Sequence, residues 1–317
     1  MASVLHVGRV SPRVLAIAAA VLLAALVVVV GVLPRLDSGH GSPVGTSSLT
    51  VGVENAPPPP QDALVLAGES GTRAVALAVE PGARPRLTAT VLAPTGRPLS
   101  GLSVSFLVGR EVVRALPCGP GCYQGSPLQS SGAKRIEVRP SGSRAVAFTL
   151  PDSPRPATAI LARATRVFRF LQSLVYVESL RSGPTGGIVT TWKMVAPDRL
   201  SYQIKGGAAA VVIGRRRWDQ SRPRAGWARS SQIPPLRVPQ PSWGRVTTNA
   251  HVLGATRVRG RSAWIVTFAN PTIPAWFTAW IDDRTYRTLQ LRMVAAAHFM
   301  FHRYVAFDRP LRITPPR

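Results

Sequence analysis

Residues 14–33 (VLAIAAAVLLAALVVVVGVL) carry no charged or strongly polar side chain. At ~1.5 Å per residue such a run spans the ~30 Å core of a bilayer, and a single segment satisfies its own backbone in lipid only as a helix. Arg9 and Arg13 precede the run, and Arg35 and Asp37 follow it. The positive-inside tendency therefore places residues 1–13 in the cytoplasm and everything beyond residue 33 outside the cytoplasmic membrane. A cleaved secretory signal shares the basic start and the apolar run. The run exceeds an ordinary signal core, however, and Gly31-Val32-Leu33-Pro34-Arg35 has no small-x-small site, which favours an uncleaved single-pass anchor.

Beyond the anchor, residues 34–62 are rich in Gly, Ser and Pro and include Pro57-Pro58-Pro59-Pro60. Such a segment has little to bury and is expected to act as a stalk. Residues 63–150 break into short alternating runs: Val75-Leu77-Val79, Leu87-Ala89-Val91, Leu102-Val104-Phe106, Ile136-Val138 and Val146-Phe148-Leu150. Turn signals separate them, and the pattern predicts an immunoglobulin-like β-sandwich. A Pro-rich junction at 151–156 precedes a change of period. Ile160, Leu161, Ala164, Val167, Phe168, Leu171 and Leu174 recur at three and four, predicting an amphipathic helix over 157–175. Strand alternation then returns, so residues 157–317 are expected to form a curved antiparallel sheet wrapping that helix. The predicted class is mainly β.

A net charge of +25 raises the question of nucleic acid, but the basic residues are scattered rather than clustered on one face. The one compact run, Arg215-Arg216-Arg217, falls where a hairpin is expected to turn, and is read as a solvated turn, with an anion or phospholipid contact as the alternative. Nucleic acid is not an expected partner. Enzyme chemistry is not expected either: there are 14 acidic residues, mostly in turns, and no Gly-x-Ser-x-Gly, His-Glu-x-x-His or phosphate-binding loop.

Two resemblances rest on particular stretches. "TWKMVAPDRLSYQI", "AAAVVIGRRRWDQ", "AWIDDRTYRTLQLRM" and "YVAFDRPLRITPP" resemble the LolA-like lipoprotein-carrier fold, an incomplete barrel whose apolar cavity holds acyl chains. Together with "ALPCGPGCYQG" and "AAAHFMFHRY", the region after the anchor resembles the extracytoplasmic C-terminal part of bacterial CopD-type copper-resistance membrane proteins. In that family the sandwich is similar to YtkA/FixH-like domains. The multi-helix bundle that defines the family is missing, and His40, in the stalk, does not match the N-terminal His of a CopC-type site.

The resemblance implies copper as the one cofactor to consider. His298, Met300 and His302 lie at i, i+2 and i+4, so on a strand two imidazoles and a thioether share one face; this is either a copper face or a packed one. Cys118 and Cys122 are read as a disulfide or, in the copper reading, a thiol pair. Trp192, Tyr202, Trp218, Trp276, Trp280 and Tyr304 are the candidate cavity or aromatic lining. The leading expectation is a membrane-anchored accessory protein of copper resistance, partnered by a CopD-type bundle. The alternatives are a lipid- or lipoprotein-binding module with an acyl ligand, and a scaffold that binds nothing itself.

Overall fold

A computed structural model describes residues 55–82, 84–128 and 134–317. The expected cytoplasmic segment, the anchor at 14–33 and the stalk up to residue 54 lie outside the described residues. Among the described residues no helix is long and apolar enough to cross a membrane.

The first unit contains β1 (Leu64–Ser70), β2 (Arg73–Glu80), β3 (Arg86–Leu92), β4 (Val104–Val108), β5 (Glu111–Arg114), β6 (Leu116–Gly119), β7 (Cys122–Gly125), β8 (Arg135–Pro140) and β9 (Val146–Thr149). They make two antiparallel sheets, in the orders β1-β2-β3-β7-β6 and β5-β4-β8-β9. Alternation drives the packing: Val75, Leu77 and Val91 from one sheet meet Phe106, Val138 and Phe148 from the other in a common core. Tyr123, on β7, ties the crossing between β3 and β4, because its hydroxyl donates to the Leu99 carbonyl at 2.6 Å and accepts the Leu102 N–H at 3.0 Å. Gly121 sits beneath this crossing at φ +61, where a Cβ would stand 2.8 Å from the Val91 carbonyl oxygen. Cys118 and Cys122 are joined by a disulfide across the β6–β7 hairpin.

The second unit is one antiparallel sheet with a helix, α1 (Thr158–Arg169). Its strands are β10 (Arg155–Pro156), β11 (Ser173–Arg181), β12 (Ile188–Val195), β13 (Arg199–Ile204), β14 (Ala209–Ile213), β15 (Arg216–Gln220), β16 (Ala228–Ser231), β17 (Thr248–Val258), β18 (Arg261–Asn270), β19 (Ala275–Asp282), β20 (Thr288–Ala295) and β21 (His298–Phe307). The order is β10-β17-β18-β19-β20-β21-β11-β12-β13-β14-β15-β16. After β10 and the helix the chain passes to β11, in the middle, meanders out to β16, crosses back through residues 232–247, and meanders inward from β17 until β21 closes on β11. The outer strands β10 and β16 do not pair, so the twelve-stranded sheet stays open.

The helix is shorter than its apolar spacing suggests. Leu161, Ala164 and Phe168 are its buried stripe. The Phe170 N–H reaches both the Arg166 and Val167 carbonyls, which tightens the final turn, and Leu171 then fills the core from the turn itself. Leu174 belongs to β11: the Gln172 N–H donates to Asp308 Oδ1 at 2.8 Å and residues from Ser173 onward pair with β12 and β21. Sheet pairing overrides a helical period that coincidentally continues.

Sequence chemistry also explains how the units meet. In β1 and β2 large and small residues alternate, so Leu66, Val75 and Leu77 enter the sandwich core while Ala63, Val65, Ala74, Ala76 and Ala78 form the opposite face. That face lies on Ala269, Trp276, Val294 and Phe299 of the second unit, small residues allowing the sheets to approach closely. Thr267 Oγ1 donates to the Val65 carbonyl at 2.6 Å, and Arg181 pairs with Glu69 at 2.8 Å. The end of the expected stalk is docked in the same seam. Ala56 packs on the apolar cluster, and Asn249 Nδ2 donates to the Pro60 and Ala63 carbonyls at 2.7 and 3.0 Å.

Candidate functional site: the inner face of the open sheet

Register builds a row of aromatic side chains across four strands. Tyr304 of β21 faces Tyr176 of β11, which faces Trp192 of β12, which faces Tyr202 of β13. Successive ring centroids stand 5.4, 5.9 and 4.9 Å apart. Phe168 reaches down from α1 onto Tyr304 at 5.7 Å, and Trp243, from the segment crossing the open side, meets Phe168 edge-on at 5.4 Å. That crossing segment is rich in proline, yet Leu236, Val238 and Trp243 are buried in the core. Its backbone is tied down as well, the Leu236 and Val238 N–H groups donating to the Gly214 and Pro197 carbonyls at 3.0 and 2.9 Å. The inner face is therefore covered by a helix and a strap instead of by strands.

Polar groups punctuate this interior. His302 and Glu178 are directly opposed on β21 and β11, with Nε2 2.8 Å from the carboxylate and Nδ1 3.3 Å from the Tyr304 hydroxyl. Both side chains are buried. Burial first, and then the Glu178 carboxylate, push the Tyr176 and Tyr304 phenols above the ordinary range. Trp192 Nε1 is buried with no hydrogen-bond partner among the described residues. At the far end of the row Arg217 forks onto Asp219, with nitrogen–oxygen distances of 2.7 to 3.0 Å, beside Tyr202. Arg217 was expected in a solvated turn, but it is a strand residue whose side chain is largely buried and paired.

The candidate metal ligands meet a different fate. His298, Met300 and His302 do share the inner face of β21, but they do not converge. The Nε2 of His302 is engaged by Glu178, Met300 lies opposite Met293 and Leu180, and His298 Nδ1 is 3.1 Å from its neighbour's carbonyl, that of Ala296. Among the described residues no three His, Cys, Asp or Glu side chains gather closely enough to hold a metal ion. The disulfide leaves neither Cys118 nor Cys122 as a thiol.

The six candidate lining residues divide between two faces. Trp192, Tyr202 and Tyr304 belong to the inner row. Trp218 lies on the other face of β15 under the Arg216 guanidinium, Trp276 packs against the first unit, and Trp280 borders a cleft of about 640 Å³ between the units. The physical reason is the strand period: on β19 the inner positions are Ala275, Phe277, Ala279 and Ile281, so both tryptophans point outward. Tyr176, Glu178 and Trp243 were not singled out from sequence, and Phe168 was read only as part of the helix's apolar stripe. Tyr176 and Glu178 stand in step with Leu174 and Leu180, a signal masked by the helical spacing; Trp243 sits in a stretch that reads only as loop.

No family model matches the sequence, and no curated protein matches it. Similar solved structures include the Mycobacterium tuberculosis lipoprotein LppX, at 15% identity and a TM-score of 0.38, covering 49% of this chain and 97% of that one. LprF from Mycobacterium bovis is 12% identical with a TM-score of 0.37, covering 52% and 99%. A LolA superfamily protein from Nitrosomonas europaea is 13% identical with a TM-score of 0.23, covering 51% and 96%. Likeness at this level leaves function to be read from the chain's own geometry.

Proposed function

We propose that this chain is a membrane-anchored, extracytoplasmic binding protein, not an enzyme, whose second unit takes an apolar, acyl-chain ligand against the aromatic inner face. The observation that carries the reading is the way that face is covered. An open sheet presents a mainly apolar, aromatic surface, and a single amphipathic helix and a strap, not paired strands, shield it from water. The unpartnered donor of Trp192 in the same row is a polar group a ligand head or ester would satisfy. The first unit is read as an immunoglobulin-like sandwich that presents the second. Its strand order, β2-β3-β7-β6 over β5-β4-β8-β9, supports this, because it follows the A-B-E-D over C′-C-F-G arrangement, with β1 added at the edge. Neither the described metal-ligating side chains nor the similar structures support the copper-resistance resemblance, and no copper function is proposed.

Brominated fatty acids, which quench tryptophan fluorescence on contact, test the reading on the full chain in phosphatidylcholine nanodiscs. Quenching is expected, with a saturable component that is smaller in Trp192→Phe, where only Trp243 remains of the two inner tryptophans of the row and strap, and unchanged in Trp280→Phe. Absence of a saturable component, or its retention at full size in Trp192→Phe, would overturn the assignment of the inner face.

A further inference from the structure

Where the β17–β18 turn meets the start of β20 and the end of β21, the sheet ends in a pocket of about 230 Å³. Its apolar side is Val258, Leu289, Tyr304 and Phe307, and its basic side is Arg259, Arg261, Arg287 and Arg309. Two of these guanidiniums are already partnered: Arg261 Nε stands 2.7 Å from Asp282 Oδ2, and Arg287 pairs with Asp308 while lying over the Phe307 ring at 5.3 Å. Arg259 and Arg309 are exposed and form no ion pair among the described residues.

Arg259 is held there by its backbone. Val258 pairs with Arg261, so Arg259 and Gly260 are the two residues of a hairpin turn, at φ +50 and +78. A turn of this kind favours Asn or Gly at its first position, and an arginine tolerated there points a cation at the pocket rim at some conformational cost. The decisive feature is Phe307. It lines this pocket, packs both on the Val258–Leu289 cluster and on the inner-face core, and its ring stands 6.3 Å from that of Tyr304, so the basic rim and the apolar inner face adjoin through one side chain.

We propose that this pocket binds the phosphate-class anionic head group of an amphiphile whose apolar part lies along the inner face. Guanidinium forks match phosphate oxygens in geometry and charge, and the apolar floor leads away from them into the sheet. The inference rests on the apolar-ligand reading above and narrows that ligand to an anionic one.

The test uses the full chain in phosphatidylcholine nanodiscs, with empty nanodiscs subtracted, and three probes: lauroyl lysophosphatidic acid, lauroyl glycerol and inorganic phosphate. The phosphate-bearing amphiphile is expected to bind at least tenfold more tightly than lauroyl glycerol. The double variant Arg259→Gly/Arg309→Ala, in which glycine suits the turn and neither lost side chain is buried, should lose at least tenfold for lauroyl lysophosphatidic acid and stay within twofold for lauroyl glycerol. An unchanged melting temperature confirms that the variant is folded; if it melts lower, Arg309→Ala alone is expected to show at least a threefold selective loss, and no loss overturns the site. Equal affinity for the charged and neutral amphiphiles overturns the head-group site while leaving the apolar-ligand reading standing. Failure of both amphiphiles to bind overturns the two together. Inorganic phosphate binding as tightly as lauroyl lysophosphatidic acid overturns the amphiphile and leaves a pocket for free anions.

Discussion

Removing His302 alone from the His302–Glu178 pair should cost far more than removing both partners. The side chains are 2% and 7% exposed and stand 2.8 Å apart, so neither is solvated in the other's absence. His302→Leu leaves a carboxylate buried without its partner, and such a lesion costs about 3–5 kcal/mol. Glu178→Leu is milder, roughly 1–3 kcal/mol, because the imidazole keeps its contact with the Tyr304 hydroxyl at 3.3 Å. The double variant buries two apolar side chains of similar size among Leu180, Met300 and Leu291, and replacements of that kind are near neutral, within about 2 kcal/mol. The cycle therefore predicts a coupling of at least about 2 kcal/mol, read as thermal unfolding of the full chain in nanodiscs followed by near-ultraviolet circular dichroism. At roughly 2–4 °C per kcal/mol, His302→Leu should melt about 6–20 °C below the parent and the double variant should recover most of that. If the double variant falls by the sum of the singles, the two groups do not act as a buried pair.

Three further outcomes follow from the same packing. Trp243→Ala removes a side chain that is 1% exposed, touches Phe168 and donates to Thr165 Oγ1 at 3.1 Å; about 3–5 kcal/mol should be lost, measurable by denaturant unfolding. Replacing Cys118 and Cys122 together by Ser opens a loop of sequence separation 4, so the loss should be modest, about 2 kcal/mol by loop entropy, and confined to the first unit in hydrogen exchange. Asp282 is subject first to burial, which pushes its carboxyl up, but the Thr285 hydroxyl and N–H, Arg261 and the Arg284 N–H outweigh this and hold it below its ordinary value. Its contribution is thus present above the ordinary carboxylate range and is lost as pH falls through the lowered folded value, so Asp282→Asn should melt lower than the parent at pH 7 and the gap should close below about pH 4.

Legibility in the sequence followed burial on one face. Strands with one buried and one open face, such as β4 with Val104-Phe106-Val108 or β13 with Leu200-Tyr202-Ile204, announce themselves by alternation. The opposite holds for β1, whose two faces are both covered: its residues read as a featureless apolar run, and only the structure separates Leu66, facing the sandwich, from Val65, facing the second unit. The site was half legible for a related reason. Trp192, Tyr202 and Tyr304 could be named because aromatic residues on alternating strands suggest a lining, but which face each strand turns inward depends on pairing. Trp276 and Trp280 alternate just as regularly and face the other way. Glu178 was invisible because a single carboxylate acquires meaning only from the His302 that pairing sets against it, 124 residues along the chain.

That separation carries a consequence for how the site comes into being. The chain lays down β11 first, builds outward to β16, and must then return through the strap and the five strands β17 to β21 before β11 gains its second neighbour. Until β21 docks, Tyr176 lacks Tyr304, Glu178 lacks its imidazole, and the pocket that Arg309 rims lacks the Phe307 side of its wall. Long-range pairing of this kind is entropically slow, since the loop must close before any contact repays it. The inner aromatic row, the buried His302–Glu178 contact and the basic pocket thus depend on one event, the docking of β21 on β11, and a lesion anywhere along that seam should disturb stability together with the ligand binding proposed above.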